Sequence, residues 1–502
     1  MKFRKDVLIL EKGVEFRKIN IKNICVFVFL VIAAAAFVYV FSYSTSPLYP
    51  YYYGGDTAQF LTIGKAWYLG KIPYIDMFDH KGPFIFWIDM LGFMIGKGEK
   101  YGVAILQVIF MFFSVWAFYK ISQLLYKNRI YGCVVVMITL VAMKLNYVDG
   151  NTVEEYCIPF ISWSIYEIIL YYKNVDQELH SPKRAFFYGL TFGICFLTRI
   201  TNFIPVCMGI FLVILRLIYK KQYGNLLQNI VAGIVGAMVI VLPFLIYFYQ
   251  KSALYECIYG TLLYNLEYAN ERKSWLYTAG AMDIRNYFFN YFISGVIFLS
   301  ACISFVKKDY KMAVLYCATG ILEQCWYLHG DNFGQYPLVC IAQIPISFNS
   351  VMSLSGEIKP LEKLAMIGSS LIFFTFLTNN ISLAAVAIDY RNSFKNKYER
   401  GWERLIEQIP ENENTDFVAY GGNEFKELYL LENLMPCYKY FVIQEWHASL
   451  SPETKAAIHN TFTTKKAKWI LTDSVKDNIQ DVLTESYRLV DSTDQFYLYE
   501  RK

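Results

Sequence analysis

Apolar runs broken by short polar connections occupy most of the chain between residues 22 and 388. Their length suits the hydrocarbon core of a bilayer, which takes about 20 helical residues to cross, and exceeds what a strand needs. The pattern predicts about eleven membrane-spanning helices, at 22–42, 102–125, 130–147, 156–172, 185–198, 203–219, 229–250, 287–306, 311–328, 336–354 and 364–388. The shorter runs must tilt or pack inside the bundle. The first is too long for the core of a signal peptide and reads as a retained anchor. Beyond about residue 390 the pattern changes. Short β-rich runs at 417–420, 440–443, 469–472, 487–490 and 496–499 alternate with helical stretches such as 452–463, which predicts a small α/β domain.

Composition agrees with this division. With 56% hydrophobic and 18% charged residues among 502, the chain has more apolar surface than a soluble fold hides, and the bilayer takes the surplus. The net charge of +5 is a topology signal. Lys2, Arg4, Lys5, Lys127, Arg129, Lys183, Arg184, Lys220, Lys221, Lys307 and Lys308 all fall in connections on one side, which the positive-inside rule makes cytoplasmic. Scattered between spans, they form no nucleic-acid-binding face. The expected organisation is a cytoplasmic segment at 1–21, a membrane domain at 22–390 with an outer loop at 43–100, and an extracytoplasmic α/β domain at 391–502. The cysteines fall mostly within apolar runs, with no disulfide framework or metal-ligand spacing.

The unusual polar residues gather on the outer face. Asp56 follows Gly54-Gly55, where it caps the helix that follows, or takes a proton from a hydroxyl, or holds a cation. Asp76, Asp79 and His80 have the three- and four-residue spacing of one face of a helical turn, ended by Gly82-Pro83. Beside them Lys81 either contacts a phosphate at headgroup level or snorkels to lipid. Glu154 and Glu155 open the fourth span, where a helix dipole favours a carboxylate. Arg199 lies between two apolar runs and reads as an interfacial snorkeller or as the partner of an anionic ligand.

In order and in type these segments resemble the GT-C membrane glycosyltransferases, specifically the group related to protein O-mannosyltransferases and lipid A aminoarabinose transferases. Gly55-Asp56, the stretch at 74–83 with its Asp79-His80-Lys81-Gly82-Pro83, the stretch at 151–155 and Leu197-Thr198-Arg199 carry the resemblance. Asn332-Phe333-Gly334-Gln335-Tyr336 carries it more weakly. The resemblance implies an all-α polytopic fold with a small C-terminal α/β domain. It implies inverting transfer of a sugar from a polyprenyl-phosphate donor to an extracytoplasmic lipid, glycan or protein acceptor. On that reading Asp56 is the general base, and Glu155, with Glu154, orients the acceptor or shares the base role. Lys81, Arg199 and His80 meet the donor phosphate, while Asp79, Asp76 and Tyr336 contact substrate. No metal ligand set is assigned, although these carboxylates are compatible with a divalent cation. Thr57 stands where protein mannosyltransferases carry a second acidic residue, which weakens the case for a protein acceptor. The competing classes are a polysaccharide polymerase or ligase, expected to show more outer-loop arginines, and a lipid-linked sugar transporter or flippase, expected to show mid-membrane charges or inverted repeats.

Overall fold

The computed structural model describes residues 21–502 apart from 175–177, 271–286, 288–290, 330–332, 354–380, scattered positions within 383–398, and 466 and 475. Its first half is built from α1 (Ile21–Phe41), α2 (Asp56–Tyr68), α3 (Pro83–Ile95), α4 (Tyr101–Leu125), α5 (Arg129–Tyr147), α6 (Ile158–Lys173), α7 (Pro182–Phe196), α8 (Ile204–Tyr219) and α9 (Tyr223–Gln250). Further helices follow at Ile297–Val306, Tyr310–His329 and Gln343–Met352.

Five segments among the described residues are long and apolar enough to cross a bilayer, at Ile21–Phe41, Tyr101–Leu125, Arg129–Tyr147, Ile200–Tyr219 and Tyr223–Gln250. With 16 and 15 residues, α6 and α7 are shorter than a perpendicular crossing needs. The expected span at 364–388 falls almost wholly outside the described residues. A membrane protein is thus supported, without a count of crossings. The outward face of α9 makes the point physically. Ile230, Val231, Ile234, Val235, Val239, Leu242 and Ile246 are exposed together, a stripe that water would penalise at about 25 cal/mol per Å² and lipid would not. The opposite side of α9 packs on α7 with the backbones almost touching. A Cβ on Gly236 would lie 2.0 Å from the Phe186 carbonyl oxygen, the small-residue contact that drives helix association in lipid.

The expected outer loop at 43–100 is itself structured. Helices α2 and α3 pack on each other and bury Phe60, Leu61, Ile63, Ala66, Trp67, Ile85, Phe86 and Ile88. Pro83 begins α3, where its missing N–H costs nothing.

The C-terminal domain has a four-stranded sheet of β1 (Phe417–Tyr420), β2 (Trp469–Thr472), β3 (Tyr487–Ser492) and β4 (Tyr497–Arg501), in the order β1-β2-β4-β3. Strands β1 and β2 run parallel and the other pairs antiparallel. Every residue of β1 and β2 is buried, as in a sheet covered on both faces. The expected helix is present at Pro452–Lys465. The expected strand at 440–443 is absent. Tyr440, Phe441 and Val442 are buried without a ladder, because a short apolar run marks a buried segment as readily as a strand. Phe78 enters this domain's core, its ring 5.1 Å from Tyr440 and 5.7 Å from His447, and the Phe78 N–H donates to the Lys439 carbonyl at 2.9 Å. The soluble domain is therefore seated on the segment that precedes α3.

Candidate functional site

Four connections meet at one end of the helix bundle, and backbone hydrogen bonds fix them to each other. The Gly82 and Phe84 N–H groups each donate at 3.0 Å, to the Thr198 and Leu197 carbonyls respectively. A Cβ on Gly82 would lie 2.2 Å from the Leu197 oxygen, so only glycine permits this approach. The contact sets Lys81 beside Arg199. Thr57 Oγ1 donates to the Gly150 carbonyl at 3.0 Å and ties the start of α2 to the connection that holds Glu154. Thr57 thereby has a local structural role. Lys100, buried, donates to the Tyr49 and Tyr52 carbonyls and holds the approach to Gly54.

Asp56 is the first residue of α2 and makes no capping bond; the cap position is Gly55, without a side chain. Its Oδ1 instead accepts from Lys426 Nζ at 2.8 Å, a lysine of the soluble domain whose side chain is 7% exposed, while the Asp56 side chain is 61% exposed. Burial by surrounding protein raises the Asp56 pKa, but Lys426 and then Lys81 outweigh it and hold the carboxyl below its ordinary range.

Residues 74–80 form no helical turn. Tyr74 adopts a positive φ of 69°, which a helix cannot accommodate, and a bridge closes Pro73 onto Met77. The three polar residues therefore separate. Asp76 Oδ2 accepts from the Ile72 N–H at 2.7 Å and serves the turn. Asp79 is buried, accepts the Lys81 N–H at 2.8 Å, and is pushed up to about 6 by burial against the pull of Lys81. Lys81 Nζ lies 2.7 Å from His80 Nε2, and His80 Nδ1 lies 3.8 Å from Asp79 Oδ1. If the ammonium donates, the imidazole proton sits on Nδ1, toward Asp79. His80 packs on Tyr264 and Trp446 with centroids 6.0 Å away in each case. Burial lowers the Lys81 pKa, with Asp79 and Asp56 opposing it.

The two glutamates face different surroundings. Glu154, buried, reaches Arg199 Nη1 at 3.3 Å. The Arg199 guanidinium lies over the Tyr336 ring, its Cζ 3.3 Å from the ring centroid, a contact that helps to place the cation. Glu155 is sealed in a network instead. It accepts from Tyr147 OH at 2.6 Å, Gln107 Nε2 at 2.9 Å and the Asn151 N–H at 2.8 Å, and burial pushes it up to about 7. The expectation sets Glu155, with Glu154, to orient the acceptor or share the base role; in the fold these three donors face Glu155. Both of its oxygens accept from protein donors, and Glu154 is the member of the pair that reaches the cationic cluster. Of the expected residues, Asp56, Asp79, His80, Lys81, Glu154, Arg199 and Tyr336 are brought to this end of the bundle by contacts or mutual electrostatics. Asp76 and Glu155 shape it from behind. Asn332 lies outside the described residues. Lys426 is the site residue the sequence did not reveal. Among the described residues no three of His, Cys, Asp and Glu converge as metal ligands.

A helical membrane domain bearing a cluster of acids and cations at one end, with a small α/β domain seated on it, is a fold with solved counterparts. Two crystal structures of ArnT from Cupriavidus metallidurans share it. The apo form aligns at 11% identity over 95% of this chain and 98% of that one, with a TM-score of 0.56. The form bound to undecaprenyl phosphate aligns at 12% over 94% and 97%, with a TM-score of 0.53. In sequence, the family described as dolichyl-phosphate-mannose-protein mannosyltransferase matches residues 80–247, a stretch that includes Lys81, Glu154 and Arg199. No curated protein matches the chain.

Proposed function

We propose that this chain is a membrane glycosyltransferase that moves a sugar from a polyprenyl-phosphate carrier to an acceptor hydroxyl on the extracytoplasmic side, with inversion. The observation that carries the reading is the division of charge at the site: an accessible, ionised carboxylate at Asp56 beside a pair of cations at Lys81 and Arg199. The ArnT complex with undecaprenyl phosphate supports a lipid-phosphate carrier here, as does the family match.

The acceptor oxygen attacks the anomeric carbon as the bond from that carbon to the phosphate oxygen breaks. Asp56 takes the hydroxyl proton, and the lipid phosphate leaves with the electron pair. Lys81 and Arg199 balance its growing charge. Glu154 and Tyr336 orient Arg199, and His80 and Asp79 orient Lys81, so that neither cation has to search for the phosphate. Asp76 keeps the loop in shape. The N-terminus is cytoplasmic and the site and soluble domain extracytoplasmic, an orientation supported by the bias of the basic connections together with an odd number of crossings.

Transfer of radiolabel from polyprenyl-phosphate sugars to membrane extract tests the activity. A labelled lipid, glycan or protein product identifies the acceptor class, whereas movement of the intact carrier without bond cleavage would favour the flippase. Cysteine labelling tests the orientation, with positions 220 and 308 reactive from the cytoplasm and position 446 only from outside.

A further inference from the structure

We infer that Lys426 of the soluble domain is the positioning residue of the base: it grips one oxygen of Asp56 and leaves the other turned to the acceptor. The inference rests on the proposed transferase reading and adds a function for the C-terminal domain. Only Oδ1 of Asp56 is engaged, by Lys426 Nζ at 2.8 Å; among the described residues Oδ2 has no hydrogen bond. The lysine is nearly inaccessible while its partner is open, so the cation is fixed in the protein and the carboxylate is displayed from it. A fixed donor on one oxygen removes the free rotation that would otherwise swing the second oxygen away from a substrate.

The contact does not depend on Lys426 to hold the domain in place. Next to it in the chain, Glu427 accepts the Tyr53 and Gly54 N–H groups at 2.7 and 2.9 Å and pairs with Arg400 at 3.2 Å. Lys65 Nζ meets Asn433 Oδ1 at 2.8 Å, Lys439 meets Glu256 at 2.8 Å, and Phe78 is seated in the domain's core. Lys426 can thus be changed without releasing the domain.

The charged groups that face Asp56 come from several directions. Lys426 belongs to the soluble domain, Lys81 and Asp79 to the segment before α3, and Asp149 lies against Gly54 on the α5 side. Of these, Lys426 is the one in direct contact and the larger of the two that favour the carboxylate form, so its loss leaves burial opposed by Lys81 alone.

The test uses the full chain in lipid nanodiscs, with and without Lys426→Met. Isotope-edited infrared titration of ¹³C-labelled aspartate, read as the difference from Asp56→Asn, reports the Asp56 carboxyl without any substrate. Its titration is expected to move to higher pH in Lys426→Met and to return in Lys426→Arg. With a polyprenyl-phosphate sugar that the wild type uses, the acidic limb of turnover moves the same way, by about tenfold in rate below the limb for each pH unit. Lys65→Ala, which removes a surface link between the same two bodies, leaves the titration and the limb in place. An unmoved Asp56 titration in Lys426→Met overturns the inference. So does an unchanged rate profile. A loss of undecaprenyl phosphate binding equal to that of Lys81→Met also overturns it, by making Lys426 a phosphate ligand. If the titration moves while the wild type transfers no sugar, the pairing stands and the transferase reading falls.

Discussion

Asp56 and Glu155 begin alike, each an acid opening a helical element at the same end of the bundle, and the folded chain gives them opposite surroundings. Asp56 is 61% exposed and is held through one oxygen by a single cation. Glu155 is buried beneath three donors, from Tyr147, Gln107 and the Asn151 backbone. One carboxylate keeps an oxygen free and a charge, as a base needs. The other uses its oxygens to satisfy donors that would otherwise be orphaned in the core. On the proposed reading, the contrast separates a position arranged for chemistry from one arranged for architecture.

The sharpest way to break the contrast is Asp56→Asn. The amide fills the same space, and its oxygen still accepts from Lys426, so stability falls by about 1 kcal/mol, the scale of weakening one hydrogen bond. Without a group to take the proton, turnover falls by about 10²- to 10⁴-fold. Thermal unfolding and transfer rate measured on one preparation compare the two effects. A variant that transfers at the wild-type rate would move the base elsewhere.

The next test concerns the cations that distinguish this end of the bundle from the buried network. Lys81→Met and Arg199→Gln should each weaken binding of undecaprenyl phosphate by about 1.5 to 3 kcal/mol, the range of a hydrogen bond to a charged group. The two losses should not add, because each charge acts on the other. Unchanged binding in both variants would return these residues to the role of lipid-headgroup contacts.

How far the site was legible depends on how local its signals are. The run from Asp79 to Pro83 is contiguous, and its mixed charges between apolar segments stand out on composition alone. The turn at 74–80 was misread because three- and four-residue spacing places side chains on one face only if the backbone is helical, and Tyr74 with its positive φ prevents that. Glu154 and Glu155 are adjacent, so no pattern could say which points to Arg199 and which into the network; the turn at Glu155–Cys157 decides it. Lys426 stands 370 residues from Asp56, one lysine among many in a soluble domain, and only the docking of that domain gives it meaning. The bundle was legible through its apolar runs. The helix at 56–68 was legible from the acid that opens it, whereas the one at 83–95 was hidden, since it is too short to read as a span and packs on its neighbour.

The finest test is the pH dependence of stability at Glu155. Burial raises this carboxyl from its ordinary value of 4.5 to about 7, with the donors from Tyr147 and Gln107 opposing the rise. A carboxyl whose pKa is higher folded than unfolded binds its proton more tightly in the native state. Its contribution is complete below about pH 4.5 and is lost as pH climbs to about 7, at no more than about 1.4 kcal/mol per pH unit. Asp79, raised to about 6, adds a slope of the same sign, so the variant must be compared with the wild type at each pH. In Glu155→Gln the amide oxygen can take the place that accepts from Gln107 and Asn151, and the amide nitrogen can donate to Tyr147 after its hydroxyl turns. The variant should therefore fold, lose part of the slope between pH 5 and pH 7, and gain on the wild type as pH rises, in thermal unfolding curves run at about one-unit steps. Parallel curves would mean that Glu155 is not a buried titrating group. Loss of transfer in a stable Glu155→Gln, with Asp56→Asn active, would exchange the two roles.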